Sequence, residues 1–463
     1  MLDDLYAENL DSAALGISWQ SDVPTLRLWA PTARDVSLEV FSGGGSGAPA
    51  VLPAEWNAFS GTWSVTDPAI SEGTQYRWSV RVYAPSTGAV ETNSVTDPYS
   101  VGLTRNSERS VVINLDADRW KPQLWEDTPA PIVNKPADRS IYELHVRDFS
   151  AGDPAVPAEE RGTYRAFTRE GAGTRQLRQL AEAGINTVHL LPTFDIASID
   201  EDPQARREPE CDLAGYGPDS PEQQACIAAS ADADAFNWGY DPLHYSVPEG
   251  SYAVDPNGGE RVSEFREMVG ALHATGLQVV LDQVFNHTAE AGQGAKSVLD
   301  RVVPGYYHRL NAAGSVETST CCQNVATEHA AAEKLMVDST VLWARAYKVD
   351  GFRFDLMGHH SKANMLAVRA ALDELTPAAD GVDGKAVYLY GEGWNFGEVA
   401  DNALFEQATQ GNLAGTGIGT FNDRLRDAVH GGSPVDAGTT FVQGYGTGLA
   451  TDPNGDAING SPG

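Results

Sequence analysis

The chain has 463 residues, 41% of them hydrophobic, which fits about two to four domains or one large barrel with an attached module and excludes wholesale disorder. Its 64 acidic against 32 basic side chains leave a formal charge of −32, which excludes a nucleic-acid partner because no basic stripe is present to release counterions. No run reaches the roughly 18 apolar residues of a membrane span, so the composition points to a soluble enzyme of neutral substrates.

In chain order, Met1 to Leu5 is acidic and lacks an apolar h-region. It is not a signal peptide as written, and the compartment stays open between secreted and cytoplasmic. From about Leu15 to Leu115 the chain reads as β. Leu26–Trp29, Val36–Val40 and Tyr76–Tyr83 alternate with period two, separated by Gly- and Pro-rich breaks such as Gly43 to Pro49. A small β-sandwich is expected. Trp19, Trp29, Trp63 and Trp78 have two readings, a sugar-binding surface or the sandwich core, and the core is expected for most.

From about Arg139 apolar strands alternate with helices. The strands are Ile141–Val146, Asn186–Leu191, Leu277–Asp282, Val349–Phe354 and Ala386–Tyr390. The helices are Thr174–Ala183, closed by Gly184, then Val262–Thr275, ended by Gly276, then Glu333–Tyr347 and Lys362–Leu375. This rhythm predicts a parallel sheet, open or closed into a barrel. Residues 192–236 break it with a polar, Pro-rich stretch too long for an ordinary connection, so a functional insertion is expected there.

Four cysteines do not make a disulfide scaffold. Cys211 and Cys226 flank the polar part of the insertion, and a disulfide between them stays open. Cys321 and Cys322 are adjacent and bridge only with backbone strain, so two free thiols in a loop are expected. Neither pair has a histidine at zinc-finger spacing, so zinc is not expected.

Three consecutive strands end in carboxylates. Asp282 ends one, with Asn286 and His287 in the following loop. The next carries Arg353 and ends in Asp355, and the third ends in Glu392. An isolated Asp after a strand is commonly a cap or turn residue. Three strand ends together are harder to dismiss, because a βα-barrel builds its site there and glycoside hydrolysis needs paired carboxylates. Arg353 lies two residues before Asp355, on the same face of the strand, where a guanidinium keeps a carboxylate ionised and oriented.

Those residues carry a resemblance. Asp282–His287 and Gly351–Asp355 match the first and second signatures of the α-amylase superfamily, glycoside hydrolase family 13, and Gly391–Trp394 resembles the third. Asn237–Pro242, Tyr142–Phe149, Gly415–Gly419 and the Cys321–Cys322 pair with Glu328–His329 look like marks of type I pullulanases and limit dextrinases. The N-terminal sandwich resembles carbohydrate-binding module family 48. The resemblance runs from about Leu15 to Gly446, with motifs in order. It implies a multidomain chain: a module and linker over residues 1–125, then residues 126–463 as an incomplete TIM-type (β/α)8 barrel with the insertion at 192–236.

The resemblance also implies roles. Asp355 is the nucleophile and Glu392 the general acid/base of a retaining hydrolysis, with a gap of about 5–5.5 Å between them. Arg353 orients Asp355, and Asp282 supports the site through Arg353 or Tyr240. Tyr240 stacks on the sugar that becomes covalently attached, His287 hydrogen-bonds it, and Trp394 flanks the leaving group. Trp238 belongs to the substrate-binding block. His359 is the substrate-side histidine, with His360 competing. No cofactor is required, and a calcium ion near Asn286 is left open. The partners implied are branched α-glucans: pullulan, amylopectin, limit dextrins and glycogen.

Three departures from the pattern are visible. Phe236 stands where Tyr is usual, and Asn395 where an acid is usual. The fourth signature, a His-Asp pair on the seventh strand, does not occur: His430 is followed by Gly431. Gly417 to Ala428 offers a sixth strand and a helix, and the tail from Gly431 offers no convincing apolar strand. The expectation is a truncated debranching enzyme, inactive as it stands. The rival is a non-catalytic glycan-binding protein with a degenerate barrel. An α-1,4-acting amylase is disfavoured by the Asn237–Pro242 block.

Overall fold

The computed structural model describes residues 1–41, 47–433 and 441–455. Residues 43–45 and much of the tail beyond Gly431 lie outside the described residues. The sandwich strands are β1 (Gly16–Gln20), β2 (Val23–Trp29), β3 (Ala33–Phe41), β4 (Ala50–Pro53), β5 (Glu55–Asn57), β6 (Thr62–Thr66), β7 (Gln75–Ala84), β8 (Ala89–Val95) and β9 (Ser110–Val111). They form two antiparallel sheets, one ordered β1-β2-β6-β5 and one ordered β4-β3-β7-β8 with β9 also on β7.

Period two decides what faces inward. Tyr76, Trp78, Val80 and Val82 of β7 are all buried, while Arg77, Ser79 and Arg81 between them are not. Two of those rings carry a polar atom into the core. Asp97 accepts from both, Tyr76 Oη and Trp78 Nε1, each at 3.0 Å, so neither donor is stranded. Of the four tryptophans, Trp29 and Trp78 are core residues. Trp19 and Trp63 are only half-buried, and Trp63 packs at 5.0 Å against the exposed Trp56.

The barrel part forms a parallel sheet of β10 (Ile141–Leu144), β11 (Thr187–Leu190), β14 (Gln278–Gln283), β17 (Gly351–Phe354), β18 (Tyr388–Gly391) and β19 (Gly419–Thr420), paired in chain order. Between them lie two antiparallel ribbons, β12 (Phe194–Ile196) with β13 (Pro242–Pro248) and β15 (His287–Thr288) with β16 (Gln323–Asn324). The central strands β11, β14 and β17 are buried on both faces, as their near-continuous apolar runs require. The crossover helices are Ala172–Glu182, Glu260–Ala274, Ala330–Tyr347 and Lys362–Asp373. Gly184 (φ +107°) and Gly276 (φ +87°) take the left-handed turn after the first two.

A closed barrel has eight strands. Six are seen among the described residues, and the sheet ends in two edges. Edge strand β10 leaves Ile141 and Tyr142 about two-fifths exposed. The sixth strand and the helix Asp423–His430 fall where the pattern of Gly417 to Ala428 places them.

Buried arginine ties the linker to the barrel. Arg266 donates to the carbonyls of Ala346, Trp120 and Leu115, and Trp125 Nε1 donates to Tyr347 O. Two of the last carbonyls of helix Ala330–Tyr347, which have no partner within the helix, are thereby satisfied, Ala346 O by Arg266 and Tyr347 O by Trp125 of the linker.

Three features go beyond the sequence reading. Leu2–Leu10 is a helix, anchored where Tyr306 donates to Asp3. Cys211 and Cys226 are disulfide-bonded across the insertion, settling the pairing left open. Cys321 and Cys322 are also bonded to each other, which corrects the expectation of free thiols. The turn holding them is pinned by Thr320, whose hydroxyl donates to Asn324 Oδ1 at 2.6 Å and accepts from Cys322 N at 3.5 Å. No described helix is long and apolar enough to cross a membrane.

Candidate active site

Strand register assembles the site. Asp282 of β14, Arg353 of β17 and Tyr390 of β18 are lateral neighbours in one row of the sheet. Asp355 follows Arg353 by two, and Glu392 follows the last residue of β18. A short reach then suffices for one guanidinium to meet three carboxylates. Arg353 Nη1 donates to Asp282 Oδ1 at 2.9 Å and to Asp355 Oδ1 at 2.8 Å, and Nη2 lies 2.9 Å from Glu392 Oε1.

The electrostatics follow from that sharing. Burial would push the Asp282 carboxyl up, but Arg353, His189 and Tyr240 overcome it and hold it below its ordinary range. Asp355 goes the other way. Burial, with the neighbouring charges of Asp282 and Glu392, pushes it up to about 6 against the pull of Arg353 and Asn286. Glu392 Oε2 accepts from the backbone N–H of Leu356 at 3.0 Å. Leu356 adopts φ 42°, ψ 46°, the left-handed region that costs a side chain of this kind on the order of 1–3 kcal/mol. The strained residue thus directly follows Asp355 and presents a donor to Glu392.

The remaining expected residues fall around this cluster. Tyr240 donates its hydroxyl to Asp282 Oδ2 at 2.7 Å, so Asp282 supports both Arg353 and Tyr240. Asn286 Nδ2 donates to Asp355 O at 2.9 Å and Oδ2 at 2.8 Å, and its amide oxygen faces His287 Nδ1 at 2.5 Å. His287 Nε2 lies 2.8 Å from the Tyr240 carbonyl. Trp394 is half-buried, with its backbone against Gly358, where any side chain would collide with the Trp394 carbonyl. Trp238 is 63% exposed and stands outside the hydrogen-bonded cluster.

The two competing histidines separate. His360 is held by Thr327 Oγ1 at 2.8 Å, and burial drives its ring down to about 3. His359 packs on Phe396 at 4.5 Å, has no protein hydrogen-bond partner on either ring nitrogen, and is pushed by burial down to about 4. It is therefore a neutral ring whose two nitrogens are buried without a protein partner.

The two small departures are absorbed locally. Phe236 packs on His145 at 5.4 Å, and Asn395 donates to Asp401 at 2.8 Å.

Several site residues escaped the sequence reading. His189 sits 3.4 Å from Asp282 and 3.2 Å from Glu143, and although burial lowers it these two acids leave it raised. Its signal was a histidine inside an apolar parallel strand. Arg309 binds Glu328 and Glu398, each at 2.8 Å, and donates to His359 O at 3.2 Å. It ties the loop after β16 to the loop after β17, a contact no spacing rule reveals.

Calcium does not fit at Asn286. A calcium ion takes roughly six to eight oxygen ligands. Asn286 offers one, already facing His287, and the Asp355 oxygens beside it are held by Arg353 and Asn286 itself.

Known proteins resemble this chain over nearly its whole length. Residues 14–100 match carbohydrate-binding module 48, the isoamylase N-terminal domain. Chloroplastic pullulanase 1 of Arabidopsis thaliana is 45% identical over 98% of this chain and 47% of its own length. The pullulanase of Klebsiella pneumoniae is 40% identical over 98% of this chain and 44% of its own. The maltotriose complex of PulA from Klebsiella pneumoniae superposes with a TM-score of 0.90 at 40% identity, covering 97% of this chain and 52% of that one. The chain thus spans about half the length of the curated relatives it matches. A carbohydrate-binding module 48 over residues 14–100 thus leads into an incomplete (β/α)8 barrel that is similar to the corresponding half of known pullulanases.

Proposed function

We propose that this chain carries the acid–nucleophile pair of a retaining hydrolase of α-1,6-glucosidic branch points in pullulan, amylopectin and limit dextrins. The observation that carries the reading is the pairing of Asp355 and Glu392 on one guanidinium, Arg353. Asp355 attacks the anomeric carbon while Glu392 protonates the departing glycosidic oxygen. Glu392 then takes a proton from water as the glycosyl–Asp355 ester is hydrolysed. Protein groups carry every step. The pullulanase relatives, and the maltotriose bound by PulA of Klebsiella pneumoniae, support an α-glucan substrate.

The test is linkage. Pullulan given to the full gene product should yield maltotriose. Panose as the product, or cleavage of linear amylose alone, sinks the reading.

The acid limb of the pH profile gives a second check. Asp355 must be ionised to attack, and its carboxyl is raised to about 6. Activity is therefore expected to fall about tenfold per pH unit below pH 6, as the nucleophile is protonated. An acid limb in kcat/KM near pH 4, the range of an ordinary carboxyl, would contradict the nucleophile assignment.

The reading also needs more than the described sheet. Edges β10 and β19 each pair on one side only among the described residues. A third catalytic acid on a later strand is expected to supply on the order of 10²–10³-fold in rate.

A further inference from the structure

The ribbon of β15 and β16 carries an arrangement that the hydrolytic steps leave unused. Register pairs His287 with Asn324, two residues beyond Cys322, so the ribbon folds the two cysteines back onto the histidine. Cys321 Sγ lies 3.7 Å from His287 Nε2. The ligand atoms of His287, Cys321 and Cys322 all lie within 4.8 Å of one another. Cys321 is exposed and Cys322 half-buried, so a small dithiol reaches the bond between them from solvent.

His287 is the second observation. Its Nδ1 faces the amide oxygen of Asn286, whose orientation is set because its nitrogen donates twice to Asp355. Nδ1 therefore carries the proton. Nε2 faces the Tyr240 carbonyl oxygen at 2.8 Å. A neutral ring has one N–H, so its remaining lone pair points at another acceptor. A cation at Nε2 removes that conflict, and the Tyr240 oxygen lies beside it.

We propose that reduction of the Cys321–Cys322 disulfide creates a binding site for a thiophilic divalent cation such as Zn2+, held by His287 Nε2 and the two thiolates. A dithiol supplies two electrons and two protons, the Cys321–Cys322 bond breaks, and the reductant leaves as its own disulfide. Cation binding then releases the two thiol protons to solvent. One imidazole and two thiolates are the donor set that soft or borderline cations favour. The bonded pair has no thiolates to offer, so the site exists in one redox state only. The cation would occupy a ring nitrogen of the histidine that the debranching reading assigns to the sugar, and is expected to block hydrolysis. That consequence rests on the debranching reading, whereas binding itself does not.

The test uses Cd2+, whose thiolate charge-transfer absorption reports binding directly. The unmodified chain and the double variant Cys321→Ser/Cys322→Ser are each reduced with dithiothreitol, freed of reductant without air, and titrated. Because Cys211 and Cys226 are common to both, the difference isolates the adjacent pair. The expected result is two extra thiols and one extra Cd2+ per unmodified chain, none when the chain is left oxidised, and about 10–100-fold or more weaker binding in His287→Ala. The proposal is overturned if no extra thiols appear, if the two titrations coincide, or if His287→Ala binds Cd2+ as tightly as the unmodified chain. Bound Cd2+ without loss of hydrolysis would uphold the metal site and count against the role of His287 toward the sugar.

Discussion

Asp355→Asn in the full gene product is expected to lower pullulan hydrolysis on the order of 10⁴-fold or more, with glucan affinity changed only a few-fold. The substitution keeps size and shape and one acceptor oxygen, but it removes the negative charge that makes the carboxylate a nucleophile, and its amide nitrogen no longer accepts from Arg353 or Asn286. Asp355 contacts only Arg353 and Asn286 among the described side chains of the cluster, so the aromatic groups that meet the sugar stay in place. Glu392→Gln separates the second role. It should cost as much on natural glucans, yet much less on substrates whose leaving group departs without a proton. Product analysis and a binding isotherm on each variant decide the matter. Activity within a few-fold of wild type in both variants, on starch oligosaccharides, would show that the roles are wrongly assigned.

Arg353→Met should have the next largest effect, and it tests a positioning role. Arg353 faces Asp282, Asp355 and Glu392 together, at 2.8–2.9 Å. Methionine keeps much of the stem and removes the countercharge. Two buried carboxylates and a half-buried one then repel one another, and breaking a buried cluster from one side costs about 3–5 kcal/mol. The sign with pH follows. Without Arg353 the carboxyls of Asp282 and Asp355 both rise, since Arg353 is the largest influence holding each of them down. The variant is expected to lose stability relative to wild type as pH rises above the ordinary carboxyl range, and to recover it as pH falls and the carboxyls take up protons. Its residual activity should show an acid limb displaced to higher pH than the limb near 6. Thermal melts across pH and a pH–rate profile read both effects. A pH-independent loss of stability with an unmoved limb would reduce Arg353 to packing.

Much of the site could be read before any coordinates. Arg353 and Asp355 are two residues apart on one strand, and a period-two backbone puts them on one face without help from the rest of the fold. Glu392 and Asp282 close their own strands, and strand-end carboxylates converge at one end of a parallel sheet. Their convergence on a single guanidinium is a matter of register, since Asp282 and Arg353 are paired neighbours across β14 and β17. Register depends on which strands pair and how far each is shifted, and one sequence does not state it. His189 was missed for that reason. Within its strand it is one polar residue among apolar ones, and only pairing with Glu143 on β10 and proximity to Asp282 give it a role.

Local pattern by itself determined the β-sandwich, the alternation of strands and helices, the sixth strand and the strand-end placing of Asp355 and Glu392, because each depends on periodicity or spacing within one short segment. Tertiary structure alone decided the rest. It separated His359 from His360 by giving one a partner in Thr327 and the other none. It closed the Cys321–Cys322 bond in a turn pinned by Thr320 and Asn324, where adjacency had argued for free thiols. It also brought His287, 34 residues earlier, within 3.7 Å of Cys321. Such contacts join segments far apart in the chain, and the free energy that selects them comes from burying whole elements together, which no local window of sequence contains.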